Sequence, residues 1–167
     1  MRTRICVTLP ADRRQPGSLY LIINGMVALP AVPCLGKADN GMAAAHKNPA
    51  RASIFPYGDT PTGSYRAVQA VEREDPHPRM GRLTIALLGI AGDARTAMIN
   101  RTGLYIHGGP DLERYNTQLI PTLGCLRLKN PDMRMLVDKL GGPAPHGREV
   151  AIEIEQLPEE KPEKESV

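Results

Sequence analysis

Proline interrupts this chain about once in every ten residues, and glycine is just as frequent: sixteen of each stand among 167 residues. Proline lacks the amide that an interior helical turn needs, and its ring clashes with the turn before it. A bundle of long helices is therefore excluded. No three-residue glycine period runs through the chain, which excludes a collagen-like rod. What remains is a turn-rich fold of short elements. Hydrophobic residues reach 41% and charged residues 23%, a globular balance that suits one domain at this length.

The short elements read mostly as strands. Leu19–Ile23 is rich in strand formers, Asn24-Gly25 supplies the positive-φ pair of a two-residue turn, and Met26 to Cys34 returns. Pro30 and Pro33 mark that return as an edge or a bulge. Residues 36–60 read as loop, with a helical turn through Met42–Lys47. Ser64–Val71 reads as a strand, and the charged residues 72–81 as an exposed loop. Leu83–Ile90 reads as a strand or a short helix, with the helix preferred, and Ala97–Asn100 and Gly103–Ile106 as strand material. Residues 111–120 read as a polar loop. Asn130 is placed as an N-cap with Pro131 and Asp132 after it. Met133, Leu136, Val137 and Leu140 then repeat at helical spacing up to Gly141. Glu149–Leu157 alternates like a half-exposed strand, and residues 158–167 read as a disordered charged tail.

Charge is unevenly spread. Residues 149–167 hold seven acids and two lysines, so the overall +3 conceals a body of +8 over residues 1–148. A basic body suits an anionic partner. Nucleic acid is not expected, because stacking aromatics are scarce: five Tyr, one Phe, no Trp. Cys6, Cys34 and Cys125 are far apart, with no C-x-x-C pair, so neither a zinc site nor a disulfide framework is expected and a reducing compartment is favoured. The basic opening Met1–Pro10 has an apolar stretch of about five residues, against the roughly 7–15 of a secretory leader, so no signal peptide is expected. No stretch approaches the roughly 20 apolar residues of a membrane span. These points favour a cytoplasmic location, with a periplasmic or signal-independent export route as the alternative.

Chemistry gathers near two residues. His46, His77 and His146 lie in polar or Pro-rich loops and read as surface or structural. His107 ends an apolar run and precedes two glycines. Cys125 follows Gly124 at a strand-to-loop junction, where a sulfur can face a surface or sit as a core thiol. An ordinary thiol near 8.5 needs a base or a cation to act as a nucleophile at neutral pH. His107 is the natural base, Arg127 is a cation that can bind a substrate carboxylate, and amides near Cys125 can form an oxyanion hole.

The run Ile106-His107-Gly108-Gly109, a gap, and Thr122-Leu123-Gly124-Cys125-Leu126-Arg127 resembles the signature of the L,D-transpeptidase catalytic domain family, the YkuD-like proteins. Fourteen residues separate His107 from Thr122, which fits the family's gap. Thr60-Pro61-Thr62-Gly63-Ser64-Tyr65 resembles a second family motif, and Leu19–Lys37 its opening hairpin. The resemblance covers roughly residues 18–155. It implies a mostly β, sandwich-like fold with one or two short helices, and residues 18–157 as the catalytic domain after an extension, 1–17. It implies Cys125 as nucleophile and His107 as base, oriented by the Gly108 carbonyl, with Thr122, Gly124, Tyr105, Gly109 and Arg127 around the substrate.

The implied substrate is a peptidoglycan tetrapeptide or muropeptide, cut between diaminopimelate and terminal D-Ala, with carbapenems as covalent ligands and neither cofactor nor metal. One departure stands out: Leu123 occupies the place of a second family histidine. Together with the missing leader, it favours an L,D-carboxypeptidase in muropeptide recycling. The alternatives are an L,D-transpeptidase, an exported type VI-like effector with the same chemistry, and, from another class, a non-catalytic peptidoglycan-binding β domain.

Overall fold

The computed structural model describes residues 2–143 and 150–159. Among these described residues, eight strands, β1 (Thr3–Leu9), β2 (Gly17–Ile23), β3 (Met26–Leu35), β4 (Gly63–His77), β5 (Gly81–Ala91), β6 (Tyr105–His107), β7 (Leu126–Leu128) and β8 (Val150–Gln156), are joined with four short helices, α1 (Asn40–Ala45), α2 (Asp93–Asn100), α3 (Glu113–Thr117) and α4 (Asn130–Lys139). The mostly β expectation holds. The strands close into a barrel in the order β1-β2-β3-β7-β6-β5-β4-β8, with β8 back against β1. Two neighbouring pairs, β6–β7 and β1–β8, are parallel; the others are antiparallel.

The β2–β3 hairpin forms as the sequence predicts. Asn24 and Gly25 both take positive φ, 51° and 80°, which matches the turn to the twist of the strands. The two prolines of β3 are tolerated because β3 meets β7 only at Cys34 and Leu35, leaving the rest of that side unpaired. β8 alternates as expected, with Val150, Ile152 and Ile154 in the core.

Several expectations are corrected. The segment read as an extension carries β1, which lies between β2 and β8 and buries Ile5, Val7 and Leu9. Leu83–Ile90 is a strand, not a helix. Leu83, Ile85 and Leu87 face the core while Leu88 and Ile90 face outward, so both faces are apolar and the two-residue period is hidden in the sequence. Residues 72–77 continue β4 rather than forming a loop. Arg82 donates to the Arg73 and Glu74 carbonyls, and Arg73 Nη1 donates to Thr84 Oγ1 at 3.0 Å, so the charges tie the hairpin together. Ala97–Asn100 belongs to α2, whose Ala94 and Ala97 are buried. A Cβ on Gly89 of β5 would strike the Ala94 backbone. The loop 111–120 contains α3. Asn130 is the first residue of α4 and not its N-cap, which is Lys129. His146 and residues 160–167 of the tail lie outside the described residues.

Since Ile5 is fully buried in a strand bonded on both sides, Ile5→Ala should lower stability by about 2–5 kcal/mol in a denaturant titration. A loss below 0.5 kcal/mol would mean that β1 is dispensable, as an extension would be.

Candidate active site

β6 and β7 run side by side in parallel, with Ile106 opposite Leu126 and His107 opposite Arg127. Successive strand residues point to opposite faces. Ile106, Leu126 and Leu128 enter the core, fully buried. Tyr105 and His107 on β6, Arg127 on β7 and Cys125 in the bend just before β7 line a cavity of about 790 Å³ on the opposite face. The pairing that fills the core therefore also brings the predicted nucleophile, base and arginine to one wall.

His107 is 3% exposed, and its Nδ1 lies 2.6 Å from the Gly108 carbonyl. A carbonyl can only accept, so Nδ1 carries the proton and Nε2 keeps its lone pair. Burial pushes the imidazole down to about 3, and the charge of Arg127 pushes the same way, against the Gly108 bond. Burial also pushes the Cys125 thiol up, while the Tyr105 amide, Arg101 and Arg127 pull it down. Sγ lies 3.5 Å from the Gly103 carbonyl. Both shifts favour the uncharged forms, a thiol on Cys125 and an imidazole on His107.

The remaining predicted residues are mostly framework. Thr122 lines the cavity, yet its hydroxyl donates to the Cys125 carbonyl (2.8 Å) and accepts the Gly124 amide (3.0 Å), bracing the loop that carries Cys125. Gly124 has φ +115°, and a Cβ there would run into Arg101 Nη2 and the Gly58 carbonyl, so only glycine fits. Gly109 lies under the Tyr115 ring and donates to Asn130 Oδ1 at 2.8 Å. Asn130 Nδ2 in turn donates to the Pro110 carbonyl at 3.2 Å. Arg127, read as a cation for a substrate carboxylate, is 4% exposed. Its Nε donates to the Ile120 carbonyl at 2.8 Å, its Nη1 to the Gly108 carbonyl, and its guanidinium lies 5.1 Å over the Tyr115 ring. It holds the same carbonyl that holds the histidine.

Sequence reasoning missed Arg101. It is 7% exposed and donates to the carbonyls of Ser53 (2.9 Å), Gly58 (3.1 Å) and Leu123 (3.3 Å). It thereby ties residues 53–58 to the loop that carries Cys125. Nothing in its neighbourhood in sequence signals this, because its partners are backbone groups far along the chain. The stretch 38–58 also has a place now: Asp39, Met42, Pro56 and Tyr57 form one wall of the cavity. His77, read as a surface histidine, lines the cavity too, whereas His46 stacks on Tyr57 with ring centres 3.7 Å apart. Among the described residues, no group of three or more His, Cys, Asp or Glu is placed to hold a metal ion.

The family model described as the L,D-transpeptidase catalytic domain, YkuD, matches residues 4–152. No curated protein matches the chain. Among solved structures, the helical cell shape determining protein Pgp2 from Campylobacter jejuni is similar at 14% identity and a TM-score of 0.55, over 94% of this chain and 49% of that one. Bd1075 from Bdellovibrio bacteriovorus is similar at 16% identity and a TM-score of 0.51, over 90% and 47%. The chain spans about half the length of these structures, and at such identities they speak for the fold alone.

The state of His107 carries a stability signature. An unfolded chain protonates its imidazole near 6.5, but the folded chain refuses that proton until about 3. This contribution is intact above pH 6.5 and is lost as pH falls toward 3, by about 1.4 kcal/mol per pH unit. Denaturant titrations from pH 7 to 4 should show that slope, and His107→Gln should flatten it. An equal slope in the variant would refute the assignment.

Proposed function

This chain belongs to the L,D-transpeptidase catalytic domain (YkuD) family, and on that premise we propose that it acts chiefly as an L,D-carboxypeptidase on peptidoglycan stem tetrapeptides. Family membership implies a cysteine enzyme acting on peptidoglycan peptides. The observation that carries the proposal is that His107 of β6 and Cys125, which immediately precedes the adjacent parallel strand β7, line one cavity, with His107 Nδ1 held by the Gly108 carbonyl.

In the proposed reaction, Cys125 Sγ attacks the carbonyl between diaminopimelate and terminal D-Ala. His107 Nε2 takes the thiol proton and returns it to the departing D-Ala nitrogen as the C–N bond breaks, leaving a thioester on Cys125. Water then adds to the thioester and gives a proton to His107. The C–S bond breaks, the sulfur regains that proton, and a tripeptide carboxylate leaves. The Gly124 amide is occupied by Thr122 Oγ1, so the Cys125 amide is the donor proposed for the developing oxyanion.

Water is favoured as acceptor over an amine by the charge of the cavity. Arg79, Arg101 and Arg127 line it against one acid, Asp39, whose Oδ1 accepts the Met42 amide at the start of α1. A positive cavity lowers the local concentration of an ammonium acceptor but not of water. Leu123 adds an apolar lining group beside the nucleophile. Cys6, Cys34 and Cys125 are all free thiols, which suits a reducing compartment. Recycling of soluble muropeptides in the cytoplasm is the setting proposed.

Purified protein incubated with disaccharide tetrapeptide, with and without a D-amino acid, should release D-Ala and tripeptide faster than it forms dimers or exchange products. Cys125→Ala and His107→Ala should each reduce turnover by at least about a thousandfold, because nucleophile and base act as a unit. Faster dimer formation would assign the protein as a transpeptidase, and Cys125→Ala activity above a tenth of the unsubstituted rate would remove the cysteine mechanism. A carbapenem should add covalently to Cys125, read as a mass increase on the peptide that contains it. An adduct on Cys6 instead would contradict the site.

A further inference from the structure

The tip of the β4–β5 hairpin hangs over the active-site cavity, and several independent contacts fix it there. His77 Nδ1 accepts the backbone amides of Arg79 and Met80, both at 3.1 Å, which locks the turn. Gly81 takes φ +79°, and a Cβ on it would collide with the Gly109 carbonyl, so the turn sits directly on the loop that follows His107. Arg82 Nε pairs with Asp111 Oδ2 at 2.7 Å, fastening the start of β5 to the same loop. Arg127 Nη1 reaches the Arg79 carbonyl at 3.5 Å.

This turn presents two donors to the cavity. Because His77 Nδ1 accepts, a neutral ring carries its proton on Nε2 and can donate. Arg79 is the third arginine of the cavity lining, and the only exposed one of the three. Arg101 and Arg127 are nearly sealed and bonded to backbone carbonyls. A ligand would have to displace those bonds to reach them, whereas the Arg79 guanidinium has no partner among the described residues. Its planar fork fits a carboxylate in two parallel bonds.

We propose that the turn His77–Met80 is a carboxylate subsite, in which the Arg79 guanidinium and the His77 Nε2–H bind a free carboxylate of the peptide substrate. The inference rests on the peptidoglycan-peptide reading of the same cavity and names the group that holds the substrate's charge. It moves that role from Arg127, which orients the Gly108 carbonyl, to Arg79. Of the free carboxylates of a tetrapeptide, the two that flank the scissile bond are the candidates, that of the diamino acid side chain and that of the terminal D-Ala.

The test measures binding apart from turnover. The Cys125→Ser protein is titrated calorimetrically with three synthetic tetrapeptides: the free acid, the form amidated at the diamino acid, and the form amidated at the C-terminus. One amidation should weaken binding about tenfold, the range of a partly exposed charge-assisted pair, and thereby identify the carboxylate. Adding Arg79→Gln should weaken the free acid to the level of that amide and leave the amide unchanged. Arg79→Lys should restore part of the difference, and rising salt should narrow it. Equal affinity for all three peptides, no detectable binding, or an Arg79→Gln loss that is the same for acid and amide would overturn the subsite. D-Ala release by the unsubstituted protein is read separately: discrimination without turnover would refute the acyl-transfer reading and leave the subsite standing.

Discussion

Everything chemical in this protein depends on the parallel pairing of two three-residue strands. β6 and β7 are too short to hold a register by themselves, and a slip of one residue would send His107 and Arg127 into the core and Ile106 and Leu126 into the cavity. The register is held from both faces. On the core side, Ile106, Leu126 and Leu128 sit fully buried among the residues of β1, β2 and β5. On the cavity side, Arg127 bridges the Ile120 and Gly108 carbonyls, and so links the loop before β7 to the loop after β6. Burying a cation is costly unless its donors find acceptors. Here the acceptors are carbonyls that have left the sheet ladder and need donors of their own.

Arg101 and Asn130 apply the same device elsewhere. Arg101 joins two loops distant in sequence, one at Ser53 and Gly58 and the other at Leu123. Asn130 holds Gly109 and Pro110 from the first turn of α4. Thr60, from the Thr-Pro-x-Gly stretch, donates to the Gly124 carbonyl at 2.9 Å, and Tyr65 donates to the Pro61 carbonyl at 2.6 Å. The irregular backbone around the cavity is therefore satisfied by buried polar side chains, as buried carbonyls and amides require. The motifs that resemble the family's are partly this scaffolding rather than parts that meet a substrate.

What the sequence made legible follows from this division of labour. Local signals were readable: the Asn24-Gly25 turn, the alternation of β8, the apolar stripe of α4, and the His-Gly and Gly-Cys junctions. Signals that depend on distant partners were not. Leu83–Ile90 looks uniformly apolar because Leu88 and Ile90 face outward, which erases the strand period. The charged arm 72–77 looks like a loop because its charged side chains find their partners only once the chain is folded: Arg73 at Thr84 across the hairpin, and Glu72 at Arg134 of α4. Asn130 has the composition of a cap, but its side chain is drawn to the Gly109 amide instead. Arg127 has the charge of a ligand-binding residue, and only burial shows that backbone carbonyls occupy it. Arg101 carries no local mark at all.

The parallel contact between β1 and β8 has a kinetic consequence. Val150–Gln156 inserts between β1 and β4, so the ring closes by joining segments 147 residues apart in sequence, as in the Thr3–Val150 pair. Such a closure brings together residues of very large sequence separation, and the entropy of forming that loop must be overcome before the contacts stabilise anything. During synthesis, Ile5 and Val7 must wait, with one edge unpaired, until Ile152 and Ile154 leave the ribosome. The nascent barrel is thus an open sheet for most of its translation, with an apolar face and a free edge exposed. The proline-bearing outer run of β3, which lacks two ladder amides, and the charged far arm of β4 lie along the other margins, where they discourage the growing sheet from pairing with a neighbour.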